Sequence, residues 1–166
     1  MLKKTKKPKV SGEEKKSADE GEIIAVANDE APQSAEEKVP DNPSKDGKKV
    51  LVIEDDSMLS SMYKMKLTDA GYQAVIANEG NAGLEAAKKE KPELILLDIM
   101  MPMMDGFAVL AELRKDSSLK ETPVIIMTNL GTNDDIEKGK KLGATDYVVK
   151  ADLTPAQIVE KIKKYL

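Results

Sequence analysis

Short apolar runs and segments with apolar positions every three or four residues alternate from residue 49 to residue 166. The run at 50–53, V-L-V-I, stops in three acids, Glu54, Asp55 and Asp56. Leu59, Tyr63 and Leu67 then share one helical face, with Ser57 near the start and Gly71 placed to end the helix. Residues 72–77 alternate like a strand, and the Ala-rich stretch 81–91 reads as a helix that Pro92 stops. L-I-L-L at 94–97 fits a strand buried on both faces of a parallel sheet, and it ends in a lone acid, Asp98. A helix over 105–115 with Leu110 and Leu113 inward follows, then a strand over 123–127 ending in Thr128. A short acidic-started helix at 133–142, a strand at 145–149 ending in Lys150, and a helix opened by Thr154-Pro155 and running to Leu166 complete the pattern. Strands alternating with helices predict a doubly wound α/β domain whose parallel sheet has the strand order 2-1-3-4-5.

Residues 1–48 lack this pattern. Lys, Glu, Asp, Pro, Ser and Ala dominate, and Pro8, Pro32, Pro40 and Pro43 break any periodicity. Such a stretch cannot bury enough apolar surface to offset the entropy of ordering it, so a disordered tail is expected before a domain at 49–166. Its apolar patch at 23–27 reads as a chance cluster, and its lysines at 3, 4, 6, 7 and 9 as a solvated end.

Composition narrows the chemistry. The chain has no cysteine, which excludes disulfides and thiolate metal sites, and no histidine, which excludes imidazole-based nucleophile pairs and His-ligated zinc. Carboxylates, lysines, hydroxyls and a hard metal ion remain. A formal charge of -4 argues against a body that binds DNA directly. The apolar runs are too short to span a bilayer, and no apolar segment follows the basic start, so a cytoplasmic protein is expected.

Asp98 has two readings on its own: an acid that caps the next turn, or a ligand-binding carboxylate at the carboxyl end of a central strand. Three other stretches favour the second. In the order 2-1-3-4-5 the first and third strands are neighbours, so their ends bring Glu54, Asp55 and Asp98 together. Converging carboxylates suit a hard cation, and Mg²⁺ fits because it accepts one or two carboxylates and keeps its waters. Thr128 alone is a strand-end residue and Lys150 alone a solvated charge. Together at one sheet edge, the acids, the hydroxyl and the ammonium are what phosphoryl transfer requires.

E-D-D at 54–56, D-I-M-M-P-M-M-D-G at 98–106, M-T-N at 127–129 and G-A-T-D-Y-V-V-K at 143–150 resemble the receiver domain of two-component response regulators. The resemblance covers every expected strand and implies the flavodoxin-like receiver fold. It implies that Asp98 is the phosphoacceptor and that Asp55 ligates Mg²⁺, with Glu54 acting through a metal-bound water. The backbone carbonyl of Met100 would complete the metal shell. Thr128 would bond the phosphoryl group, Lys150 would pair with it, and Tyr147 matches an aromatic switch position. The sequence departs from the family at Ala151, where proline is usual, at Asn129, and at Gly83, which should weaken its helix by about 1 kcal/mol.

The resemblance implies a stand-alone receiver, with no output domain after the last helix. It would take its phosphoryl group from a histidine kinase or a histidine phosphotransfer protein, then signal to a protein target or relay the group onward. No turnover enzyme is expected. A degenerate receiver used only for docking is one alternative. A phosphatase forming an aspartyl phosphate is another, disfavoured because its second acid would fall at Met100. The residues two beyond Asp98 and Thr128, Met100 and Leu130, are apolar and orient no water, so slow loss of the phosphoryl group is expected.

Overall fold

The computed structural model describes residues 47–129 and 131–166. Within them, strands β1 (Lys49–Ile53), β2 (Gln73–Ala77), β3 (Leu94–Asp98), β4 (Val124–Thr128) and β5 (Asp146–Val149) form one sheet in the order β2-β1-β3-β4-β5. Every pairing is parallel. The connecting helices are α1 (Ser57–Asp69), α2 (Gly80–Glu90), α3 (Gly106–Lys115), α4 (Asn133–Lys141) and α5 (Pro155–Ile162). The doubly wound fold and its strand order are those expected from the sequence. The expected tail and its apolar patch lie almost wholly outside the described residues, as does Leu130.

Alternation along the strands builds two cores. Leu51, Ile53, Ile95, Leu97, Val124 and Ile126 face α2 and α3, where Ala87, Val109, Leu110 and Leu113 close the layer. Val50, Val52, Leu94, Leu96, Ile125 and Met127 face the other way, onto Tyr63 and Leu67 of α1 and Ile158 and Ile162 of α5. Both faces of the central strands are dry, which is why those strands read as unbroken apolar runs. Among the described residues no helix is long and apolar enough to cross a membrane.

Two details differ from the sequence reading. The last helix does not continue to Leu166: α5 ends at Ile162 and a 3-10 turn, Lys163–Tyr165, follows. The tighter turn accompanies a hydrogen bond that the Tyr165 hydroxyl donates to Asp146 Oδ2 at 2.7 Å, tying the chain end to β5. Gly83 is more than a weak helix residue. A Cβ there would lie 2.5 Å from Cδ1 and 2.8 Å from Cγ2 of Ile53, so the missing side chain is what lets α2 approach β1.

Gly83→Ala is therefore expected to lose about 1 kcal/mol of stability in urea unfolding, because crowding the fully buried Ile53 outweighs the gain in helix propensity. A stabilised variant would mean that Ile53 moves aside without cost.

Candidate functional site

The carboxyl edge of the sheet carries the polar groups. Ile53 pairs with Leu97, so one step beyond β1 sets Glu54 beside Asp98, the last residue of β3. Glu54 is 1% and Asp98 3% exposed, whereas Asp55 is open to solvent. Carboxylate oxygens of Glu54, Asp55 and Asp98 lie within 4.8 Å of one another. Asp56, the third acid of the run, does different work: it caps α1 by accepting from the N–H groups of Met58 and Leu59 at 2.8 and 3.0 Å.

Lys150 directly follows β5, where its N–H donates to the Thr128 carbonyl at 2.7 Å. Its side chain reaches over β4 and sets Nζ 2.6 Å from Glu54 Oε2 and 2.8 Å from Asp98 Oδ2. The pairing with Glu54 was not anticipated from the sequence, which assigned Lys150 only to a bound phosphoryl group. Thr128 is fully buried and shares a side-chain hydrogen bond with the partly buried Tyr147. Met100 is half exposed, and its N–H donates to Asp98 Oδ1 at 3.1 Å, so Asp98 caps the following turn as well as lying in the acidic cluster.

Asn78 also contributes, although the sequence reading passed over it. From the end of β2 its Nδ2 donates to the Glu54 carbonyl at 3.0 Å and to Ser60 Oγ at 3.3 Å, clamping the acidic turn to α1. Its place just past a strand, at the same sheet edge as the acids, was the available signal. Gly106 draws the loop after β3 tight: its N–H donates to the Ile99 carbonyl at 3.0 Å, and a Cβ would stand 2.1 Å from the Asp98 carbonyl oxygen.

Burial sets the electrostatics. It pushes the Glu54 carboxyl up to about 7, with Lys150 pulling the other way and the Asp98 charge adding to the rise. Burial pushes the Tyr63 hydroxyl up to about 12, helped by the nearby charges of Glu54 and Asp98. For Lys150, burial favours loss of the proton, but its hydrogen bonds to Asp98 and Glu54 outweigh this and hold it above the usual lysine range. Burial also raises the Tyr147 hydroxyl, with Asp135 adding to the rise and Thr128 opposing it. Three oxygen donors, one of them open to solvent, fit a hard divalent cation that keeps part of its water shell.

A family model described as the response regulator receiver domain matches residues 50–163. A relative named "Probable transcriptional regulator ycf27", from Pyropia yezoensis, is 38% identical over 118 residues, covering 71% of this chain and 47% of its own length. The alkaline phosphatase synthesis transcriptional regulatory protein PhoP of Bacillus subtilis is 33% identical over 119 residues, or 72% of this chain and 48% of its own length. The chain thus spans about half the length of these curated relatives. Among solved structures, the chemotaxis protein CheY4 of Vibrio cholerae aligns with a TM-score of 0.69 at 31% identity, over 72% of this chain and 99% of that one. The Mn²⁺-bound form of response regulator Rcp1 aligns with a TM-score of 0.63 at 27% identity, over 70% and 92%.

The raised Glu54 carboxyl gives a pH dependence of definite sign. The folded state holds its proton more tightly than the unfolded chain, so this contribution is fully present below pH 4.5 and is lost as pH rises through about 7. Without divalent metal, the unfolding free energy of the protein should fall across that window relative to Glu54→Gln, by a few kcal/mol at most. Parallel curves for the two proteins would contradict the assignment.

Proposed function

The chain belongs to the response regulator receiver domain family, and from that premise we propose that Asp98 accepts a phosphoryl group from a histidine kinase or a histidine phosphotransfer protein. Receiver domains accept phosphate from histidine kinases and generally bind Mg²⁺ through acidic residues. The observation that carries the reading is the setting of Asp98: buried at the end of β3, beside Glu54 and Asp55, and paired at 2.8 Å with Lys150. These 166 residues contain no histidine, so a phosphohistidine donor lies outside them.

A carboxylate oxygen of Asp98 attacks phosphorus in line, the bond from phosphorus to the donor breaks, and the electron pair leaves with the donor. Asp55 and Asp98, the Met100 carbonyl, and Glu54 through a water would hold Mg²⁺, which supplies positive charge to the phosphoryl oxygens when bound. Lys150 gives up part of its pairing with Asp98 and turns its ammonium to a phosphoryl oxygen. The Thr128 hydroxyl donates to another. The chain turns over no substrate beyond its own phosphoryl group, and Met100 where a phosphatase would need an acid supports that.

Thr128 and Tyr147 are the switch in this reading. Engaging the phosphoryl group draws the Thr128 hydroxyl toward Asp98 and away from the hydrogen bond it shares with Tyr147. The ring then repacks, and the surface of α4, β5 and α5 becomes the phosphorylation-dependent contact. The output is a protein contact or onward relay. A second reading, in which the receiver governs a DNA-binding segment, is favoured by the names of the curated relatives.

Incubation with Mg²⁺ and acetyl phosphate should add one phosphoryl group by intact mass, and Asp98→Asn should add none because an amide is no nucleophile. Label in that variant, at the peptide holding residue 98, would refute the assignment. An unmodified parent would leave the docking module, and continuous phosphate release would favour the phosphatase. A beryllofluoride phosphoryl mimic at saturation should shift the Tyr147 ring resonances; identical spectra would remove the switch.

A further inference from the structure

We propose that Met100 is an oxidant-sensitive timer for the aspartyl phosphate: a hydroperoxide converts its thioether to a sulfoxide, and the sulfoxide oxygen orients the water that ends the signal. The inference rests on the reading of Asp98 as phosphoacceptor.

Every exposed large hydrophobic among the described residues is a methionine. Met58, Met62 and Met65 line one stripe of α1, and Met100 and Met103 lie on the loop after Asp98. With no cysteine in the chain, these thioethers are its most oxidisable exposed groups. Met100 differs from the others in its place. Glu54, Asp98 and Thr128 are buried, whereas Asp55 and Met100, each within two residues of one of these acids, are open to solvent. Met100 is 54% exposed, and its N–H donates to Asp98 Oδ1 at 3.1 Å, which holds its backbone beside that carboxylate.

The sulfur lone pair attacks a peroxide oxygen, an S–O bond forms and the O–O bond breaks. The departing hydroxide takes up the proton and leaves as water, so the thioether is oxidised by two electrons and the peroxide reduced by two. A thioether is a poor hydrogen-bond acceptor, and it shields the phosphorus from water. A sulfoxide oxygen accepts strongly. It can hold a water at the mouth while that water attacks phosphorus, the bond to Asp98 breaks, the carboxylate returns and inorganic phosphate departs.

The test uses the full chain, hydrogen peroxide, acetyl phosphate and Mg²⁺. Peptide mass should place an added oxygen on Met100 before the buried Met101 and Met127. After removal of acetyl phosphate, the oxidised protein should lose its phosphoryl group on the order of tenfold faster than the reduced one. Methionine sulfoxide reductases should reverse the change. Met100→Leu should decay at one rate with or without peroxide treatment, and reduced Met100→Gln, which carries an amide oxygen there, should decay faster than the reduced parent. Unchanged decay of a parent oxidised at Met100 overturns the proposal, as does equal acceleration in Met100→Leu or protection of Met100 from peroxide. A reduced chain that takes up no phosphoryl group at all refutes the phosphoacceptor reading, and the timer with it.

Discussion

Two nearly buried carboxylates share one ammonium, and the arrangement of the domain follows from that constraint. Glu54 and Asp98 lie side by side at the sheet edge, and burial raises the Glu54 carboxyl well above the usual carboxylate range. Lys150 lies 2.6 and 2.8 Å from them and supplies the charge that keeps the pair tenable. Removing one member of such a cluster strands the others, at a cost of roughly 3–5 kcal/mol. The ammonium comes from β5 and the carboxylates from β1 and β3, so the group exists only once the sheet has closed in its order.

Neutral clamps hold these charged groups in place. Asn78 pins the Glu54 carbonyl from β2, Gly106 lets the loop after β3 close over Asp98, and Asp56 starts α1 just beyond the acids. The N-termini of α1 and α3 both lie at this edge, each capped by an aspartate, Asp56 and Asp105. Identical side chains therefore take separate places within a few residues: Asp56 and Asp105 satisfy helix N–H groups, while Asp55 and Asp98 join Glu54 in the acidic cluster. Burial is uneven at this edge: Glu54, Asp98 and Thr128 are buried, while Asp55 and Met100 are exposed.

Strand runs, helix faces and the chain order of the elements could be read from the sequence, because period and turn chemistry are local properties. They determine the parallel sheet and, through it, that Glu54, Asp98, Thr128 and Lys150 meet at one edge. What pairs with what was decided only by the tertiary structure. Periodicity does not tell Asp55 from Asp56, and only the family resemblance singled out Asp55; in the structure Asp55 joins the acidic cluster while Asp56 caps α1. Asn78 joins the site through backbone proximity, which leaves no mark in periodicity, and Gly83 exists for the depth of contact with Ile53, a distance between elements. The reach of Lys150 to Glu54 spans ninety-six positions. Local patterns fix which elements form and in what order they stack, whereas distances between side chains from different elements are set only by packing.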